Sequence, residues 1–296
     1  SNPLAYMAAL GALRVLTFAM PKTSVRMGWQ SVGVWRPVVR FDQQMNEDAI
    51  VETIFEKLAE SIDHPTFGFA NNLKVEPGIY RDYVKSAVTA SNSCDRCWAD
   101  FASAFGCESL VRPTGFILDT EFRTMSGAGH QHFIKNMRNI MSATKKVHIR
   151  KALFEKWAYN DPLKNLSMRW DPMDDKRYAL RWSEPSGDPT REKQGSVLGA
   201  NRLAIEALPL FSTVPVKRSL RTTGFKGNNT RNTYLTWPIW EPFVALDTVR
   251  SLLAMKDLQD EYPLRDQLAA RGVTEIFRSQ RLTNDKFRNF TTGQPV

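Results

Sequence analysis

Apolar residues run almost unbroken from Leu4 to Met20 (LAYMAALGALRVLTFAM), with Arg14 the one charge inside. Pro3 and Pro21 punctuate the ends of this run. Ala5, Ala8, Ala9, Gly11 and Ala12 keep its surface small, so the pattern predicts a helix buried against close neighbours. It falls short of the about 20 apolar residues that a bilayer crossing needs, and no basic region precedes it as in a secretory signal. Val25–Trp29 and Gly33–Phe41 read as two short strands with a Gln-Ser-Val-Gly connection, a hairpin pattern. Between Asn46 and Glu60, Val51, Ile54, Phe55 and Leu58 recur at helical spacing behind Glu47 and Asp48, acidic residues suited to a first turn. Ile79–Ala90 and Cys94–Phe105 predict two further helices, and Thr114–Phe122 (TGFILDTEF) a buried strand.

Downstream, His130–Trp157 reads as mostly helical, and Ser196–Leu208 as a helix burying Ala200, Leu203, Ala204, Ala207 and Leu208 on one face. Leu210–Pro238 suggests strands and a long loop, and Ala245–Met255 a helix capped by Asp247. Val273–Arg281 predicts a last strand before a basic tail. Helices and short, mainly antiparallel strands mix without a βαβ rhythm, and no period of about 20–50 residues recurs. The fold class is therefore α+β. Asp161–Gly195 changes character, with Pro162, Pro172, Pro185 and Pro189 and the pairs Arg169-Trp170 and Arg181-Trp182. Those pairs suggest a hairpin with Trp inward and Arg outward. The segment marks a candidate boundary between a mainly helical part, 1–160, and an α+β part, 161–296, unless the chain forms one domain.

Charge adds a direction. The 296 residues carry 40 Lys+Arg against 31 Asp+Glu, a formal net charge of +9, which favours polyanionic partners. Between Glu206 and Glu241 there is no acidic residue, yet Lys217, Arg218, Arg221, Lys226 and Arg231 fall there among Gly224, Gly227, Asn228, Asn229, Thr230 and Asn232. Lys and Arg supply charge to phosphates, Asn and Thr supply positioning, and Phe225 and Tyr234 offer stacking faces. Lys145, Lys146 and Arg150 form a second basic stretch, and Arg169 and Arg181 a third. Three cysteines are too few for a disulfide framework and point to a reducing, cytoplasmic setting.

Candidate chemistry is thin. Cys94, Cys97 and Cys107, with His130 or His132, fall short of the two close ligand pairs usual in structural zinc sites, so the cysteines read as core residues. His130-x-His132 lacks a placed third ligand, and Ser126-Gly127-Ala128-Gly129 resembles a phosphate loop without its Lys-Ser/Thr. Asp119-Thr120-Glu121, ending an apolar strand, resembles the first acidic motif of DEDD-type exonucleases, and Tyr262-x-x-x-Asp266 resembles their last. A middle motif is missing and Pro263 breaks the last one, so a metal-dependent nuclease on Asp119 and Glu121 is the alternative. A third reading is a protein-interaction scaffold with incidental charge. No cofactor is expected.

Several stretches together carry a resemblance. They are Asn2-Pro3-Leu4 leading into AALGALRVL, then MGW, GVWRPVV, RWDPMDDKRYALRW, GANRLAIEALPLF, TGF, SLLAMKDLQ and KFRNFT. The chain resembles the small large-subunit-like proteins encoded with CRISPR effectors of subtype I-U, also called I-G. The resemblance implies a non-catalytic, nucleic-acid-binding subunit of an RNA-guided complex. Such subunits read a motif beside the target, grip a strand and recruit a nuclease, while guide pairing reads sequence. Its implied partners are DNA or guide RNA and other effector subunits, with no membrane. The family has no catalytic motif to transfer, so the contact residues above rest on charge alone.

Overall fold

The computed structural model describes residues 1–92, 95–127, 131–174, 195–227, 232–284 and 287–296. Helix α1 (Pro3–Ala19) starts where the Asn2 side chain accepts the N–H groups of Leu4 and Ala5. It is buried along most of its length, as its apolar run requires. After the hairpin of β1 (Val25–Ser31) and β2 (Trp35–Phe41) come α2 (Glu47–Ala59), α3 (Pro77–Asn92) and α4 (Arg96–Phe105). Strands β3 (Gly106–Val111) and β4 (Ile117–Asp119) pair next, followed by α5 (Phe133–Ala143), α6 (Lys146–Phe154) and α7 (Leu198–Ala207).

Helix α7 is the main partner of α1. The two approach so closely that a Cβ on Gly11 would overlap the Leu203 carbonyl oxygen. On its other side α7 meets α6, where a Cβ on Gly199 would overlap the carbonyl of His148. Every residue of α7 is buried, including Arg202 and Glu206. Buried charge needs partners. Glu206 accepts from Arg14 and from Arg202, each at 2.8 Å, and Arg202 also donates to the Leu58 carbonyl and the Ser61 hydroxyl.

The remainder is antiparallel β structure with two short α-helices. Strands β5 (Thr213–Val216) and β6 (Ser219–Thr222) form a hairpin. Strands β7 (Phe225–Lys226), β8 (Tyr234–Trp240), β9 (Val273–Asn284) and β10 (Phe287–Phe290) form a sheet in the order β10-β9-β8-β7, and β11 (Gln294–Pro295) also pairs with β9. Helices α8 (Leu246–Leu253) and α9 (Arg265–Ala269) lie between β8 and β9 in sequence. The fold is α+β without βαβ rhythm. One buried apolar cluster draws on residues from both sides of position 160. At its centre Phe122 packs edge-on against Phe211 and Phe225, each ring at 4.9 Å, and against Trp170 at 5.8 Å. Among the described residues no helix is long and apolar enough to cross a membrane.

Several local expectations are corrected. The helical stretch 130–157 breaks at Thr144, whose backbone is extended and whose hydroxyl bonds back to the Ile140 carbonyl. Such a side chain competes with helix continuation. Lys145 then starts α6, its N–H held by His148 Nδ1. The 114–122 strand shrinks to Ile117–Asp119, because Gly115 closes a turn onto Arg112 at φ +84. Ala245, not Asp247, occupies the cap of α8; Asp247 sits in its first turn and faces Arg250. The expected tail is strand: β10 and β11 fold back on β9.

Candidate functional site

The acid-free segment folds into the β5–β6 hairpin and β7. Val216 and Ser219 pair, leaving Lys217 and Arg218 as a two-residue turn. Lys217 has φ +55 while Arg218 is not left-handed, the sign pattern of a II′ turn, where Gly is the usual occupant. A lysine held there points to a constrained loop end. Along β6, Leu220 and Thr222 are buried and Arg221 is exposed, so period-2 alternation sends the guanidinium outward beside Val214, its cross-strand partner. The hairpin is braced from below: Thr213 Oγ1 donates to the Ser103 carbonyl at 2.9 Å, with the Gly106 carbonyl 3.2 Å away. Lys217, Arg218, Arg221 and Lys226 are all exposed, and none forms an ion pair with a carboxylate of the described residues. Arg231 lies outside the described residues.

The second basic stretch behaves differently. Lys146 pairs with Glu52, and Arg150 pairs with Asp48 and, at 3.3 Å, with Glu47. Their charge is taken up by the acidic start of α2, while Lys145 is exposed. In the third group, Arg169 is half-buried with φ +58 and Arg181 lies outside the described residues, as does Trp182. Trp170 is fully buried, and its indole N–H donates to the Phe122 carbonyl at 2.9 Å.

A cationic face not anticipated from sequence lies on the β1–β2 hairpin. Arg26 and Arg40 are cross-strand partners, Arg36 follows on the same face, and all three are exposed. The Arg40 guanidinium stacks 3.9 Å from the centre of the Phe243 ring. Like charges set directly across a strand pair are unfavourable unless something neutralises them. The signal was available: Arg36 and Arg40 are four apart in a strand, hence on one face.

Asp119 and Glu121 sit among arginines. Asp119 meets Arg123 at 2.9 Å and Arg112 at 3.3 Å, and Glu121 pairs with Arg281. Burial raises the Glu121 carboxyl above its ordinary value, and Arg281 partly opposes that. Guanidinium groups thus stand where the nuclease reading needs metal ions. Tyr262 is exposed, and Asp266 lies in the five-residue α9. Cys94, Ala128, Gly129 and His130 are outside the described residues. Cys107 Sγ lies 3.0 Å from Ser109 Oγ, and burial pushes the Cys97 thiol up to about 11, with Glu206 adding to the effect. His132 stands at the start of α5 without capping it. Among the described residues no group of three or more His, Cys, Asp or Glu is placed to hold a metal ion. No protein-family model matches the chain, and no curated protein matches it in sequence.

Proposed function

We propose that this protein is a non-catalytic nucleic-acid-binding subunit that grips a phosphate backbone with the β5–β6 hairpin, inside an RNA-guided effector of the CRISPR type its sequence resembles. The observation that carries this reading is the hairpin end: Lys217, Arg218 and Arg221 are exposed with no carboxylate partner among the described residues. Cations left unpaired on a braced, short-turned ribbon suit phosphate contacts, which position a protein on a strand without reading bases. Lys226 on β7 and the Arg26, Arg36 and Arg40 face of the β1–β2 hairpin are further exposed cations. Lys146 and Arg150 are not part of the proposed contact, because α2 already neutralises them. The other effector subunits are the protein partners in this reading.

The test is a salt titration of DNA and RNA binding by the full chain. Replacing Lys217, Arg218 and Arg221 together by Glu is expected to weaken binding across sequences and flatten its salt dependence. Each lost phosphate contact removes about 0.7–0.9 from the slope of log K against log salt. An unchanged slope would overturn the hairpin as the binding site. No binding at any salt concentration would instead favour the interaction scaffold.

A further inference from the structure

The cluster around Asp119 and Glu121 contains more positive than negative charge. Arg112, Arg123, Arg281 and Arg288 gather there, and Asp119 and Glu121 are the only carboxylates among the described residues that form ion pairs with them. Among the described residues, two of these four positive charges are therefore uncompensated, in a largely dry setting. Arginine cannot shed its proton to relieve them. Arg281 is wholly buried, and its Nε and Nη2 have no hydrogen-bond partner among the described residues; Arg112 Nε has none there either. Arg123 Nε lies close to Asp119 in distance yet is not aligned as a hydrogen bond. Arg288 has no ion pair among the described residues and spends one donor on the Arg123 carbonyl at 3.1 Å. Burial, then Arg281 and Arg123, push the Arg288 guanidinium down to about 10.

Buried donors without partners are rare in native proteins, and where they occur they point to an ion or water that completes the site. Asp119 Oδ2 and Glu121 Oε2 also lack an aligned donor, but the guanidinium groups outnumber the carboxylates among the described residues, so the charge excess favours an anion. We propose that this arginine cluster is a binding site for a phosphate-type oxyanion, reached past Arg112 and Arg288, its two partly exposed members. A phosphate monoester carries about −1.5 to −2 charge and three acceptor oxygens, which matches the two excess charges and the orphaned N–H groups. Guanidinium forks are the groups best shaped for such oxygens. The site is separate from the hairpin end, since Thr222, which accepts from the Glu121 N–H, faces inward while Arg221 faces out. It stands whether or not the hairpin binds nucleic acid.

Thermal unfolding of the full chain, in buffer free of phosphate and sulfate, tests the site. Inorganic phosphate is expected to raise the Tm by several degrees at a hundredfold excess over its dissociation constant, beyond chloride of equal ionic strength. Arg288→Gln removes an excess charge and keeps a donor for the Arg123 carbonyl. It is expected to melt no lower than the parent without phosphate and to lose the phosphate response. Should that variant fail to fold, Arg112→Gln takes its place with the same expectation. Equal shifts from phosphate and chloride, or a full phosphate response in the variant, would overturn the proposal. A 5′-phosphorylated dinucleotide compared with its 5′-hydroxyl form separates the sources. A response to the phosphorylated form assigns the site to a nucleic-acid end, and a response to inorganic phosphate alone assigns it to a free ion. Silence in both arms rejects the site.

Discussion

Asp119 shows how one side chain changes meaning once its neighbours are known. In sequence it ends an apolar strand beside Glu121, a pattern that metal-dependent nucleases share. In the fold Arg112 and Arg123 hold it, and Arg281 holds Glu121 from about 160 residues away. Nothing local announces that pairing, because it depends on how β9 docks against the 119–125 segment. Asp119→Ala is expected to cost about 3–5 kcal/mol in urea unfolding, since it strands buried guanidinium charge. Asp119→Asn, assayed with magnesium and single-stranded substrates, is expected to cleave no differently from the parent; loss of cleavage in that folded variant would reinstate the nuclease. Cys97 offers a second check. Burial favours its neutral thiol, with a pKa near 11 against an ordinary value of 9.0. At pH 8 only about one thiol in a thousand is then ionised, so iodoacetamide should label Cys97 far more slowly than a free thiol. For the same reason its contribution to stability is complete below pH 9 and falls as pH rises toward 11. Labelling at the rate of an exposed cysteine would contradict its burial.

Elements governed by local periodicity were readable, and those governed by distant partners were not. The runs behind α1, α2 and α7 carry their spacing in the sequence, and the β1–β2 hairpin carries its alternation. The close of the sheet was hidden, because β10 and β11 are short and find their register only against β9. The neutralising of Lys146 and Arg150 was hidden for the same reason: α2 lies about a hundred residues earlier. The exposed hairpin end was foreshadowed by the missing acids between Glu206 and Glu241. Between α1 and α7, the small residues foretold close approach but not which helix would approach. Gly11→Ala tests that contact. Alanine improves helix propensity by about 1 kcal/mol, whereas its methyl group must displace the α7 backbone. Overpacking of that kind costs about 1–3 kcal/mol and more where backbone is the obstacle, so net destabilisation is expected in denaturant unfolding. A gain in stability would show that the helices separate freely.

The two halves of the chain meet through shared packing. Trp170, from the stretch marked as a boundary, inserts between Phe122 and Phe133 and bonds the Phe122 carbonyl. Trp170→Ala is expected to lower stability by about 3–5 kcal/mol in a single cooperative transition. An early separate transition would mean that the halves unfold independently. The pairing of α1 with α7 has a consequence for how the chain is made. Arg14 and its partner Glu206 are 192 residues apart, so α1 leaves the ribosome long before the helix that covers it exists. At about 5–20 residues per second, that interval is roughly 10–40 s. Throughout it, an almost wholly apolar helix lacks the α7 face that covers most of it, with early elements such as β1 and α2 its only native surfaces to bury against.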